Sequence, residues 1–529
     1  MKMAIRTRAF GLGLGLLAGF AGAIPALDAS AQEVLRTLSS GYRTLNPAVQ
    51  SGGATGMPGS QIFAGLVQIG DNYQPQPYLA DSWSRSADGL SYTFKLNKNA
   101  KFHDGQPVTS ADVAYSLGIV KANHPFGPVM FGNVTSVETP DPLTAVIKLS
   151  KPTPSLLQSL HPLLMPVMPK HVYDDGKDIK THPRNMQDVV GSGPFRVAEH
   201  KVGEYLVLER SPNFFRTGYP KVDRIVTTIS TDPAARSLAI EKGDVDYQPL
   251  ADLTPREVRR MENNKNLTIT TKGYDAFGHV NYLELNLRKA PYNDVRVRQA
   301  ISYAIDRKFI TEKLFLGIAD PAYGPIHSAS LFHAKDLPRF DNDLEKAKKL
   351  LDEAGLKPDA KGVRFSMTLE VPNWSASHLG IMADYMRPQL KKVGIEVELR
   401  KSPDFATWIN RVVGGEYDAT MNGAWNYPDP VIGVHRLYLC SNIRKVIWTN
   451  TQAYCNEKVD ELLNKAAVTD DTVERTRLYQ DFQRIAAYDL PLVFLTEEKY
   501  VTAIKSTTKD YPLGVWGGLS PWDRIRIAR

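Results

Sequence analysis

Two short junctions carry the residue types best suited to gripping a small molecule. Asn373 and Trp374 follow the apolar run Phe365–Val371, and Trp425, Asn426, Tyr427 and Asp429 follow the run Ala419–Met421. An indole ring supplies a large flat apolar face with a single N–H donor. An asparagine adds one donor group and one acceptor. Packed tryptophans usually lie within helices and strands, so two of them in loops just beyond strand ends point to cleft contacts. Open α/β sheets take ligands at this place, outside the carboxyl ends of their strands. On the amino-terminal side, Tyr42 follows the first strand. Gly53 sits in the Gly-rich stretch Ser51–Thr55, whose backbone amides can approach a ligand closely. Met130 and Phe131, in an apolar stretch, are candidates to cover the far end of an elongated ligand.

Catalytic chemistry has no comparable signature. The chain lacks Gly-x-Ser-x-Gly, Gly-x-x-x-x-Gly-Lys and His-Glu-x-x-His. His103-Asp104 could suggest acid–base work but reads as a loop brace. His435 lies near the second junction without a second ligand at metal-binding spacing. No catalytic residue, metal ligand or cofactor is assigned. A hydrolase is the remote alternative, and intact recovery of a bound ligand would discriminate against it.

The elements that must hold these junctions fall into two textures. Val34–Leu38 reads as a strand, Ser40–Ser60 as a loop and Ile62–Val67 as a short helix. Leu90–Leu96 alternates cleanly as a strand, Ser110 opens a helix over Ala111–Val120, and Val134–Glu138 with Thr144–Leu149 forms a hairpin. A second β-rich block runs through Gly191–Val197, Tyr205–Arg210 and Arg224–Ile229, then a helix over 234–242. After residue 280 helices alternate with strands: Val295–Ile305, Leu344–Ala354, Leu379–Lys392, Lys458–Ala467 and Val473–Tyr488 against Phe365–Val371, Glu396–Arg400, Ala419–Met421 and Leu492–Leu495. That alternation predicts a largely parallel sheet.

The ends and the composition bound the class. Lys2, Arg6 and Arg8 precede an apolar stretch from Ala9 to Ile24, and Ala29-Ser30-Ala31 offers a cleavage site before Gln32. This is the secretory pattern, and the stretch is shorter than the roughly 20 residues of a spanning helix. A leader over residues 1–31 and a periplasmic mature chain are therefore expected. Loss of that segment removes three basic groups and Asp28, taking the formal charge from +7 to +5. Acids and bases are interspersed, so nucleic acid is not an expected partner. In an oxidising compartment the only two cysteines, Cys440 and Cys455, are expected to bridge. A mature chain of this length exceeds one ordinary core, so two or more lobes are expected.

Motifs in order along the whole mature chain sharpen this. They are Leu79-Ala80-Asp81-Ser82-Trp83, Gly89–Phe94, Lys101-Phe102-His103-Asp104-Gly105, Thr109–Val113, Gly191–Phe195, Gly243-Asp244-Val245-Asp246, and Pro291–Ala300 ending in Ala304-Ile305-Asp306-Arg307. Read residue by residue, most are structural. Trp83, Tyr92, Phe94 and Phe102 suit a core, and Arg296, Arg298 and Arg307 suit structural ion pairs. In this order they resemble extracellular solute-binding protein family 5, the oligopeptide-, dipeptide- and nickel-binding components of ABC importers. The resemblance implies an α/β, two-lobed periplasmic-binding-protein fold of type II with an extra β-rich subdomain in lobe I. Lobe I would take residues 32–75, 188–278 and 495–529, the subdomain 76–187 and lobe II 279–494. It implies a monomer that captures a small, peptide or peptide-like solute and docks on membrane permease subunits. A sugar, an opine-like conjugate or a metal complex is the alternative cargo. Peptide binders of this family typically carry an Asp where Asn426 stands, pairing with the ligand's α-ammonium. Asn426 offers no charge there, and Asp429 is the candidate substitute.

Overall fold

Ser91–Leu96 alternates polar and apolar residues, burying Tyr92, Phe94 and Leu96 on one face, as a half-buried strand requires. In the computed structural model, which describes residues 32–50, 52–373 and 376–528, this strand is central in a four-stranded antiparallel sheet. The order is Ala80–Arg85, Ser91–Leu96, Thr144–Leu149, Val134–Asp141. The helix Ser110–Asn123 is capped by Thr109, whose N–H and hydroxyl both donate to Asp112 at 2.8 Å. The proposed leader over residues 1–31, and Trp374, lie outside the described residues.

A second four-stranded sheet pairs Val34–Ser39 in parallel with Arg224–Ile229, followed by antiparallel Tyr205–Arg210 and Phe195–Lys201. A small three-stranded sheet joins Tyr247–Gln248, Thr502–Lys505 and Leu267–Thr270. The largest sheet has six strands in the order Ala319–Pro321, Leu492–Glu498, His279–Leu285, Ala419–Trp425, Phe365–Val371, Ile395–Lys401. Only the pairings of Phe365–Val371 with its two neighbours are parallel; the other three are antiparallel. The expected parallel sheet is therefore mixed. His279–Leu285 enters it as the chain crosses from the first half and runs opposite to the strands on both sides.

Two further expectations are corrected. Most of the helix Gly53–Ile62 lies in the stretch read as a loop over Ser40–Ser60, and the helix expected over Ile62–Val67 ends at Ile62, with Val67 opening the strand Val67–Ile69. Glycines and Pro58 give the 53–62 segment poor helix propensity. Its packing explains the small residues: a Cβ at Gly56 would come within 2.4 Å of Leu163 and 2.7 Å of Leu519. Among the described residues Arg298 and Arg307 have no ion-pair partner. Arg298 donates to the carbonyls of Tyr292, Asn293 and Asp489, and Arg307 to those of Ser302, Phe340 and Phe494. Arg296 does pair, with Asp294 at 2.6 Å. Met130 and Phe131 are buried in the core of the first half, which accounts for their apolarity without a ligand.

Cys440 and Cys455 are bonded, with Sγ–Sγ 2.06 Å. The closed loop holds Asn450, whose side-chain amide donates to the carbonyls of Leu439 and Tyr454. It also presents the Trp448 carbonyl to Arg436, 2.5 Å from Nη1. The double variant C440S/C455S is expected to lose about 3 kcal/mol through the freed loop of the unfolded chain. Calorimetry in oxidising buffer should show a lower Tm than wild type, and an unchanged Tm would remove the disulfide from the stability of this region.

Candidate ligand-binding site

Strand direction brings several chain ends to one place. Phe365–Val371 is parallel to both neighbours, and both Ala419–Trp425 and Leu492–Glu498 run opposite to His279–Leu285. The carboxyl ends of four strands therefore share one edge, where His279 begins the fifth. Trp425, expected in a loop, is the last residue of its strand and pairs with His279. Its half-buried indole donates from Nε1 to the Tyr500 hydroxyl at 2.6 Å. The ring meets Phe277 edge-on at 4.5 Å, while Tyr500 stacks on His279 at 5.6 Å.

The first half of the chain approaches this aromatic wall through Gly53. A Cβ there would stand 3.0 Å from Leu250 and 3.5 Å from Trp425. Gly53 is the first residue of its helix, and the capping Gly52 supplies no side-chain acceptor. The positive end of this helix dipole thus begins beside the tryptophan. Tyr427 is buried with φ +60°, 6.0 Å from Trp425 and edge-on to Phe126 at 5.5 Å.

Other expected contacts have different work. Asn426 is buried, with Oδ1 accepting from the His327 amide at 2.6 Å and Nδ2 donating to the Pro325 carbonyl at 3.1 Å. Its side chain braces the 325–327 segment. Asp429 accepts from the Val431 amide at 3.0 Å and binds Arg475 with both oxygens, at 2.7 and 2.8 Å. Its charge is matched by this buried pair. Asn373 is exposed and donates to the Pro403 carbonyl at 3.2 Å. Tyr42 packs edge-on to His200 within the first half, where burial pushes its phenol up to about 12 against hydrogen bonds from Thr227 and Ser39. Neither joins the Trp425 group. His103 is the loop brace it was expected to be, held between the Gly191 amide and the Gly193 carbonyl.

The polar part of this edge went unread. Glu498 Oε2 lies 2.7 Å from His279 Nδ1 and accepts from Asn281 Nδ2 at 3.3 Å, while Oε1 is 3.7 Å from His378 Nε2. Burial pushes this carboxyl up, but His378, His279 and the hydrogen bonds outweigh it and hold it at about 2. His378 comes from the π-helical turn Ala376–Gly380 and stacks on Phe315 at 5.4 Å. π-Helical turns are frequent at functional sites. The available signal was polar: His279, Asn281 and the Glu497-Glu498 pair cluster toward one end of largely apolar strands. Among the described residues no group of three or more His, Cys, Asp or Glu is arranged to hold a metal ion.

The arrangement combines an aromatic wall, a helix start without a side-chain cap and a carboxylate at one edge of the sheet. A model of the bacterial extracellular solute-binding proteins, family 5, middle region, matches residues 74–445. The chain belongs to that family. A probable D,D-dipeptide-binding periplasmic protein of Escherichia coli K12 is 30% identical over 442 residues, covering 82% of this chain and 81% of the relative. The glutathione-binding protein GsiB of Salmonella paratyphi A is 27% identical over 503 residues, 93% of each chain. The oligopeptide-binding protein AppA of Bacillus subtilis, solved with a nonapeptide, superposes with TM-score 0.81 at 24% identity, over 94% of this chain and all of that one. The fold is thus the two-lobed, α/β periplasmic-binding-protein fold expected of family 5. Family-5 proteins are transport components, and no described helix here is long and apolar enough to cross a membrane.

Proposed function

We propose that this protein captures a peptide or peptide-like solute in the periplasm by closure of two lobes, and hands it unchanged to the permease of an ABC importer. Residues 32–75, 188–278 and 495–529 form lobe I, residues 76–187 its subdomain and residues 279–494 lobe II. The leader over residues 1–31 is removed on export, and the protein acts as a monomer and not as an enzyme. The observation that carries the reading is the meeting of Gly53 and Trp425. A helix start from one half of the chain lies 3.5 Å, measured from a built Cβ, from an indole at the carboxyl edge of the other half's sheet. Trp425, Tyr427 and Gly53 are the proposed contacts, the indole covering apolar surface and the Gly53 helix amides receiving an acidic end.

The hinge is proposed at the two crossings near residues 275–282 and 490–498, which lie side by side as antiparallel strands. Contacts across the lobes support a closed form: Arg85 to Asp470 at 2.5 Å, Arg43 over the Phe405 ring at 4.9 Å, and Phe126 against Tyr427. Ligand touching both lobes favours closure by its differential affinity for that state. Titration with D-alanyl-D-alanine, glutathione and a mixed tripeptide pool is expected to yield a binder that raises Tm and lowers the radius of gyration in solution scattering. The binder should be recovered intact. A tight binder that leaves the scattering profile unchanged would refute closure, and turnover of the binder would refute the carrier.

A further inference from the structure

We infer that Phe126 of the subdomain closes on Arg436 and Tyr427 of lobe II as a clasp, and that a proton on His124 opens it. The inference rests on the lobes and the closure proposed above. The Arg436 guanidinium lies over the Phe126 ring at 4.4 Å, and Tyr427 meets that ring edge-on at 5.5 Å. Phe126 and Arg436 are both buried at this seam. Arg85 and Asp470 add an ion pair between the same two bodies at 2.5 Å. Arg436 also reaches the site wall. Its Nη2 donates to the Trp425 carbonyl at 3.3 Å and its Nη1 to the Trp448 carbonyl at 2.5 Å. Closing the clasp thus bears on the backbone of the residue that carries the indole.

His124 holds Phe126 in place. Its Nδ1 accepts the Phe126 N–H at 3.1 Å, and the two rings meet edge-on at 5.2 Å. That bond requires a neutral ring with its proton on Nε2. An imidazolium would lose the bond and would also face the cation of the other lobe. Among the described residues no carboxylate pairs with Arg436, whereas the buried Arg475 has Asp429. The remaining groups at the seam offer no compensation. Lys121, on the helix that leads to His124, is a further cation and donates to the Val134 carbonyl at 2.6 Å. Tyr427 and Tyr282 bring only phenols to Arg436. Among the described residues no aspartate or glutamate acts on either His124 or Arg436.

The direction of the effect follows from the geometry. Burial, with Arg436 adding to it, holds the His124 ring at about 3 in the closed form. When the lobes part, Arg436 leaves Phe126 and water reaches the seam, so the ring returns toward its ordinary value near 6.5. The closed form therefore refuses a proton that the open form accepts. Closure is unopposed well above about pH 6.5 and weakens as the pH falls toward 3. One such proton makes closure about fourfold harder at pH 6 than at pH 7.5.

The test places a donor and an acceptor dye at Lys98→Cys in the subdomain and Asn464→Cys in lobe II, both exposed positions. The mixed tripeptide pool is titrated at pH 7.5 and pH 6, and energy transfer reads the pool concentration that half-closes the protein. Circular dichroism at each pH shows that the protein is folded. Protein with the native clasp is expected to need about four times more pool at pH 6. His124→Asn keeps an acceptor for the Phe126 N–H, as an Asx turn does, and takes up no proton. It should half-close at the same concentration at both pH values. Phe126→Ala should need more pool at both and lose most of the pH dependence. Equal half-closing concentrations with the native clasp, or an undiminished pH dependence in folded His124→Asn, overturns the clasp and leaves the carrier standing. No closure by the pool at pH 7.5 overturns the closure reading, and the clasp with it.

Discussion

Lowering the pH from 7 to 5 is expected to strip roughly 8 kcal/mol from the folded state. Four histidines are buried in neutral form: burial holds His103 at about 4 and His124, His161 and His435 at about 3. Geometry requires the same protonation state. Nδ1 accepts a backbone N–H in three of them, from Gly191 in His103, from Phe126 in His124 and from Leu163 in His161. An imidazolium has no lone pair to offer there. His161 also lies flat on Trp516 at 4.4 Å, and Arg436 adds a positive field at His124.

In the unfolded chain these rings return to an ordinary value near 6.5 and take up protons that the folded chain refuses. Stability is therefore fully present above about pH 6.5 and falls as pH drops toward 4, by about 2 kcal/mol per histidine at pH 5. Glu498 works in a lower window. Its depressed value means that its contribution is present above about 4.5 and is lost only as pH falls toward 2. Between pH 6.5 and 5 the histidines dominate. Urea midpoints at pH 7, 6 and 5 should trace a slope that steepens toward about four protons at pH 5 and averages about three, and His161→Phe should remove about a quarter of it. A flat profile would mean that these rings titrate in the folded protein.

How much of this was legible depended on whether the signal was local. Alternation in Ser91–Leu96, the Asp112 cap and the strand Phe365–Val371 are written within a few residues, and those elements stand where they were expected. The helix Gly53–Ile62 was not legible, because its small residues answer to Leu163 and Leu519 and not to helix propensity. The Trp425 junction was legible as a site because a tryptophan beside Asn, Tyr and Pro stands out in any local window. The contact between His279 and Glu498 was not. Glu498 and His279 are 219 residues apart, and each looks like an ordinary strand end. Only the register of His279–Leu285 between its neighbours puts them together. Asn426 shows the converse limit: its position was legible, yet the partners that occupy its amide lie near residue 326.

Removing one partner of the Asp429–Arg475 pair is expected to be the most damaging single change near the site, at about 3–5 kcal/mol. Both side chains are buried, and the guanidinium meets the carboxylate with two nitrogens. Arg475 is fixed further by donating from Nε to the Ala466 carbonyl and from Nη2 to the Tyr479 hydroxyl, with its face over Phe332 at 5.1 Å. Asp429→Ala would leave this cation buried without a counter-charge, and it would also uncap the short helix that starts at Pro430. The double variant Asp429→Ala with Arg475→Met removes the stranded charge as well and should recover most of the loss. A ligand role for Asp429 predicts the reverse pattern, in which Asp429→Ala melts like wild type and loses the solute. Structural coupling predicts a large drop in Tm, rescue by the second substitution, and binding retained by whatever fraction is folded. The carboxylate that reads from sequence as a substitute ligand charge thus ties the residues just after the Trp425 strand to the helix Thr472–Asp489.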